Sequence, residues 1–490
     1  MAAMKSSAIV LLLVLAAATS TTSASRVLQQ GRASVSAEGG GSTALSLSVI
    51  PEFPYIPVVE TDFSHVITIQ APQAIANADR APVSLTAVLD RSGSMSGSKI
   101  DLLKRSTEFL VDQLQEGDSI GIVSYASEVS EDVPLTPVTG ASKESIQRSI
   151  DNIRASGSTN LSGGLFKGVQ QQKTGDIPQR SVKSVIMLTD GVANQGITDI
   201  TEIKRKLAQE LGSRNAPIVY ALGFGTGHDV EFLQEIARTG EGSYVFIENE
   251  SVIATSFGDI IGGLLTVTAQ KIKVTLTPRN GGRITSMKGG KVTPSPTSWI
   301  TEFPDLFAEE KRDILIDMKL PASSSSTNVV LEAKVEFFDV VKGQDAVQTI
   351  VVVVDRRKGP TPTVADETFE VTRLRFKVAD DITAAVAQKE AGDTATATAT
   401  LDGTLSALSA SSASSNGGVA SLRADVEKVK SSVSQDEVLA EGTAAAFSSG
   451  AASLKVQRGF GASALSSSSA RTSSQTASAD AASAFVGGGK

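Results

Sequence analysis

The chain has 490 residues, 41% hydrophobic and 4% aromatic, enough for about two or three cores built mainly from Val, Ile, Leu and Ala. Its formal charge of −8 is thinly spread and shows no basic face, which argues against a nucleic-acid binder. The absence of cysteine excludes disulfides, zinc–thiolate sites, iron–sulfur clusters and a cysteine nucleophile. The short Lys204-Arg205-Lys206 run sits in a helical pattern and reads as a solvated helix edge.

At the N-terminus, Lys5 precedes an apolar run from Ala8 to Ala18 and a small-residue exit from Thr19 to Ser25. This pattern predicts a secretory signal peptide over residues 1–25, and so a secreted or extracellular protein. The run is too short to span a bilayer. With no later stretch of about 20 apolar residues, the mature chain should carry no transmembrane span. A Gly/Ser-rich linker is expected over 26–42. Over 43–80, the segments Thr43–Ile50 and His65–Ala71 alternate as half-buried strands, interrupted by Pro51, Pro54 and Pro57.

The pattern changes over 81–266. Strand-like runs at Val83–Leu89, Ser119–Ala126, Val182–Thr189, Ile218–Gly223 and Ser243–Ile247 intersperse with helical spacing. Ile100, Leu103, Thr107, Leu110 and Leu114 share one helix face, and helical patterns recur at Lys143–Ile153, Ser162–Gln171, Asp199–Leu211, Asp229–Ala237 and Val252–Leu265. This alternation predicts an α/β fold: a doubly wound, mostly parallel sheet with helices on both faces.

Over 267–356 the helices disappear and strands are expected at Lys271–Thr277, Asp313–Met318, Asn328–Asp339 and Ala346–Val354. The early strands over 43–80 cannot make a stable sheet alone. They are therefore expected to join this region, which makes the α/β domain an insertion in one β-sandwich. A helical segment is expected over 362–435, including Asp366–Glu390, Thr404–Ser412 and Val419–Val433. The tail over 436–490 is of low complexity in Ser, Ala and Gly; beyond about Phe447 it is too poor in large apolar residues to form a core and is expected to be disordered.

The chemistry concentrates at strand ends of the α/β domain. Asp90-Arg91-Ser92-Gly93-Ser94 follows the first strand, Asp190 ends the Val182–Thr189 strand, and Thr159 lies in the Gly157-Ser158-Thr159-Asn160 loop between them in sequence. Ligands of open parallel sheets bind at carboxyl ends where the strand order reverses. If the two strands are neighbours, these oxygens converge. Two bare carboxylates roughly 6 Å apart would repel by about 3 kcal/mol at an effective dielectric near 20. A hard cation reverses that sign. Hydroxyls and carboxylates without sulfur or imidazole favour Mg²⁺ first, with Mn²⁺ or Ca²⁺ as alternatives.

The segments Val88-Leu89-Asp90-Arg91-Ser92-Gly93-Ser94-Met95, Gly157 to Leu165 and Met187-Leu188-Thr189-Asp190-Gly191 together resemble a von Willebrand factor type A domain, in that family's order. The resemblance implies an intact metal-ion-dependent adhesion site. Ser92, Ser94 and Thr159 would be hydroxyl ligands, with Asp90 and Asp190 acting directly or through water. It also implies a partner protein whose Glu or Asp carboxylate completes the coordination. The wider layout is similar to secreted or cell-surface proteins of the inter-alpha-trypsin inhibitor heavy-chain kind.

Three other patterns carry weaker chemistry. Gly223-Phe224-Gly225-Thr226-Gly227-His228 follows a strand but lacks the third glycine of a dinucleotide fingerprint, so no nucleotide is expected. His65 and His228 have no nucleophile elbow nearby, and Glu231, Glu235 and Arg238 read as a solvated helix face. Of two sequons, at Asn160 and Asn249, the first abuts Thr159 and is expected to be unused. The function expected is therefore non-enzymatic, adhesion-type protein binding. A structural matrix or coat protein with the metal as a folding staple is the alternative, and a metal-dependent hydrolase a more distant one.

Overall fold

The computed structural model describes residues 33–38, 45–73, 80–175, 177, 181–212, 216–225, 227–247, 253–435, 439, 441–457, 465 and 471–487. The expected signal peptide and the sequon at Asn249 lie outside these residues. The described residues begin with four strands: β1 (Ala33–Glu38), β2 (Ser46–Pro51), β3 (Ile56–Pro57) and β4 (Thr61–Gln70). β1 lies inside the expected linker and corrects it. It pairs antiparallel with the strand at 344–357, Ala33 opposite Val352. Edge pairing uses backbone groups and needs no apolar side chains, so a Ser- and Ala-rich stretch can supply it.

The α/β domain follows. Its strands are β5 (Val83–Asp90), β6 (Ser119–Tyr125), β7 (Val129–Pro137), β8 (Val182–Thr189), β9 (Ile218–Phe224) and β10 (Tyr244–Ile247), in sheet order β10-β9-β8-β5-β6-β7. All neighbours are parallel except β6 and β7. Every residue of β5, β6 and β9 is buried, as parallel strands covered on both faces must be. Helices α1 (Ser98–Gln113), α2 (Gly140–Asp151) and α6 (Ile253–Leu264) cover one face, packing Leu103, Phe109, Ile150 and Phe257 onto Leu85, Ile122 and Ile186. Helices α3 (Leu161–Thr174), α4 (Ile200–Glu210) and α5 (Val230–Thr239) cover the other, where Leu165, Val169, Ile203 and Ile236 meet Val88, Val123 and Val185. β5 sits at the reversal of strand order, with β8 on one side and β6 on the other.

The remaining strands are β11 (Val267–Pro278), β12 (Arg283–Lys288), β13 (Lys291–Pro294), β14 (Trp299–Phe307), β15 (Lys311–Leu320), β16 (Thr327–Asp339) and β17 (Gln344–Arg357). They form two sheets, β1-β17-β16-β11-β14-β13 with β3 on β17, and β12-β15-β4-β2. The core between them holds Phe63, Ile67, Val274, Ile316, Val335 and Ile350. The early strands do join the late ones: β4 pairs with β15 over its whole length, from Thr61 opposite Leu320 to Gln70 opposite Lys311. The α/β domain is thus inserted between β4 and β11. Its entry and exit meet at one turn, where Glu309 N–H donates to Pro72 O and Ala308 N–H to Thr266 O.

Three helices follow, α7 (Glu367–Glu390), α8 (Thr394–Ala410) and α9 (Gly417–Val433). α7 packs Phe369 and Phe376 onto Val66 and Leu315 on the outer face of the smaller sheet. Within the Ser/Ala/Gly tail, the described residues 441–456 and 473–487 are helical, α10 and α11. They make no core of their own. α10 adds Phe447 and Leu454 to the helical cluster, and α11 lies along α6. A β-carbon on Gly258 would come within 2.6 Å of Ala479 Cα, and one on Gly262 within 2.7 Å of Ser474 O. Glycines on α6 therefore admit a close crossing, where backbone contact replaces the missing large side chains. Phe485 reaches Phe109 of α1, ring centroids 5.7 Å apart, and Arg471 pairs with buried Asp259 at 2.8 Å.

Candidate metal centre

Asp90 ends β5 and Asp190 follows β8, and the two strands are hydrogen-bonded neighbours. The condition set by the sequence for convergence is therefore met. After Asp90 the chain turns through Arg91 and Ser92 into a single 3-10 turn, Gly93–Met95. That turn is fixed from the neighbouring loop: Gly93 N–H donates to Gly157 O at 3.0 Å and Ser156 N–H to Arg91 O at 2.7 Å. Gly157 makes the approach possible. Its φ is +79°, and a β-carbon there would stand 2.7 Å from Ser127 Oγ.

The side chains form a connected set of oxygens. Ser92 and Ser94 hydroxyls are 3.0 Å apart, and Ser94 donates to Asp190 Oδ1 at 2.6 Å. Thr159 comes close by: its hydroxyl and that of Ser94 lie 3.8 and 3.7 Å from where a β-carbon would sit on Gly191. Asp90 lies one layer deeper, fully buried, accepting from Ser92 N–H at 2.8 Å and from the Thr189 hydroxyl at 2.6 Å. All five sequence-chosen residues are therefore brought to one crevice. Ser92, Ser94, Thr159 and Asp190 meet at its surface, while Asp90 backs them. Ser94 is exposed, so the crevice opens to solvent.

Burial pushes the Asp90 carboxyl above its ordinary range and the charge of Asp190 adds to this, against hydrogen bonds from Thr189 and Ser92. Beneath it, Tyr125 is fully buried and donates to Leu188 O at 3.2 Å; burial first, then the charge of Asp90, raises its phenol well above the usual value. Positive charge in the crevice would favour the ionised form of Asp90. The donor set fits a hard cation, being oxygen throughout.

Four residues escaped the sequence reading. Thr189 holds Asp90, Asn194 accepts from Thr159 N–H at 2.8 Å, and Tyr125 floors the site. The fourth is Lys99, whose ammonium lies 2.7 Å from Asp190 Oδ2. Lys99 is the second residue of α1, a position where the helix dipole disfavours a cation. That mismatch was the available signal. The other patterns resolve as structure. The imidazole Nε2 of His228 is 2.8 Å from the Tyr244 hydroxyl, and Glu235 pairs with Lys204 and Arg238. Asn160 accepts from Gly163 N–H at 3.0 Å as the cap of α3.

Residues 84–258 match the family model of the von Willebrand factor type A domain. This part of the chain is a von Willebrand factor type A domain. A solved structure described as a von Willebrand factor type A protein from Catenulispora acidiphila superposes with a TM-score of 0.66 at 17% identity, over 85% of this chain and 98% of that one. The shared fold thus extends beyond the type A domain. The chain is similar to mouse inter-alpha-trypsin inhibitor heavy chain H3, 29% identical over 192 residues, or 38% of this chain and 21% of that one. It is also similar to an uncharacterised protein of Synechocystis, 24% identical over 275 residues, or 54% of this chain and 64% of that one. Each alignment spans less than two thirds of the relative. Among the described residues no helix is long and apolar enough to cross a membrane.

Proposed function

We propose that the type A domain binds one divalent cation through Asp90, Ser92, Ser94, Thr159 and Asp190, and through it grips a Glu or Asp side chain of a partner protein. The observation that carries this reading is the linked set of Ser92, Ser94 and Asp190 oxygens, 3.0 and 2.6 Å apart, at the reversal of strand order. Ser92, Ser94, Thr159 and Asp190 would hold the ion, and Asp90 would orient Ser92 and neutralise charge from below. Only two of the five are carboxylates, so a bound ion keeps electrophilic character toward an outside carboxylate. This favours binding over turnover, and the signal-like N-terminus supports a secreted or cell-surface setting for it. The sandwich would present the domain to the partner.

Calorimetric titration of the full chain with Mg²⁺, Mn²⁺ and Ca²⁺ tests the reading, beside Asp90→Ala and Ser92→Ala. Saturable one-site binding is expected in the wild type and its loss in both variants, with far-UV circular dichroism unchanged. Failure of all three ions to bind at millimolar concentration, or binding that persists in both variants, overturns it. Ion binding that raises stability without altering capture of carboxylate-bearing proteins would move the role to a folding staple.

A further inference from the structure

Asp190 has both carboxylate oxygens occupied: Oδ1 accepts from Ser94 and Oδ2 from the Lys99 ammonium. Among the described ion pairs, Lys99 is the only cation paired with either carboxylate of the crevice. The pair is unevenly placed, the Asp190 side chain being 1% exposed and that of Lys99 32%. The Lys99 ammonium also stands over the ring of Phe224 at the end of β9, 5.2 Å from its centroid. Lys99 therefore reaches into the crevice from a helix terminus that disfavours it, and the acidic site holds it there.

We propose that Lys99 is a tethered counter-ion that competes with the divalent cation for Asp190 and sets the affinity of the site. This inference rests on the cation-site reading. Two carboxylates against one ammonium leave a single net negative charge to attract the ion. A cation entering beside Asp190 must either displace the ammonium or bear its repulsion at a few ångströms. The half-open position of Lys99 lets it withdraw without breaking the core, since its anchors are one carboxylate and one ring face. Affinity would then be held low by a residue outside the ligand set, in a position the three motif segments do not specify.

The test is calorimetric titration of the full chain with Mn²⁺, comparing wild type, Lys99→Met, Lys99→Arg and Asp90→Ala. Methionine keeps an unbranched apolar side chain of similar length while removing the charge; arginine keeps the charge. Lys99→Met is expected to bind Mn²⁺ about tenfold tighter or more, and Lys99→Arg within about threefold of wild type. Equal or weaker binding by Lys99→Met, with wild type binding and Asp90→Ala silent, overturns the competition and leaves the cation site standing. Equal tightening by Lys99→Arg also overturns it, because the charge would then not be the cause. If neither wild type nor Lys99→Met binds, the cation site itself falls.

Discussion

The two ends of the α/β sheet handle buried charge in opposite ways. At the amino end, Asp118 before β6 is 1% exposed and receives four donors. Arg80 meets it through two nitrogens at 2.9 and 2.6 Å, and the Val83 and Gln115 N–H groups each donate at 2.8 Å. At the carboxyl end, Asp190 meets one lysine and the Ser94 hydroxyl, and Asp90 meets the Thr189 hydroxyl and a single backbone N–H, that of Ser92. A guanidinium and a backbone N–H can only donate, so the amino end is committed to one arrangement. A hydroxyl can turn and offer a lone pair, so under the proposed reading the carboxyl end would exchange its hydrogen bonds for a cation. Full, fixed pairing marks structure, and partial, reversible pairing marks a site.

The first way to break this comparison is Arg80→Ala. It strands a buried carboxylate and is expected to cost about 3–5 kcal/mol in denaturant unfolding, with Mn²⁺ affinity unchanged. A parallel fall in Mn²⁺ affinity would show that the two ends are not separable.

A buried group with no partner sharpens the contrast. His65 shares the inner face of β4 with Phe63 and Ile67, stacks on Phe63 at 5.0 Å, and has no hydrogen bond at either ring nitrogen. Burial pulls its pKa from 6.5 down to about 3. The folded state therefore binds the proton less readily than the unfolded state. Stability from neutral His65 is complete above about 6.5 and is lost as pH falls toward about 3, amounting to a few kcal/mol. Thermal melts followed by Trp299 fluorescence should lose melting temperature over that window in wild type, and lose less in His65→Leu. Matching slopes would place the acid sensitivity elsewhere.

The smallest effect is expected from Asp90→Asn with chelator present. Removing the charge relieves the repulsion from Asp190 and the desolvation that raises the Asp90 pKa. The amide can still accept from Ser92 N–H, so unfolding free energy should change by less than about 1 kcal/mol. A loss as large as that of Arg80→Ala would mean that Asp90 is as structural as Asp118.

The sequence made the catchment of the site legible because the strands leading to its carboxylates end in apolar runs, Ala87-Val88-Leu89 and Val185-Ile186-Met187-Leu188. β8 occupies the predicted Val182–Thr189 range, and the three loops carry motifs that a single strand end must bring together. It did not show β7, where only Val133 is buried among nine residues and Pro134 and Pro137 obscure the strand pattern. β14, with Pro304 inside it, and the four-residue β13, ending in Pro294, were hidden for the same reason. Lys99 was missed because its partner is 91 residues away in sequence. Helix α11 was missed because its contacts rest on glycines of another helix rather than on large side chains of its own.

The turn at 308–310 also determines how the protein carries load. Pro72, at the entry to the type A domain, and Thr266, at its exit, are both hydrogen-bonded to that turn, and Ala71 N–H donates to Glu310 O. A pull on the sandwich from both sides passes across these hydrogen bonds and bypasses the inserted domain. A partner held as proposed would then be tensioned through the sandwich without stretching the sheet that shapes the crevice, as long as the turn remains closed.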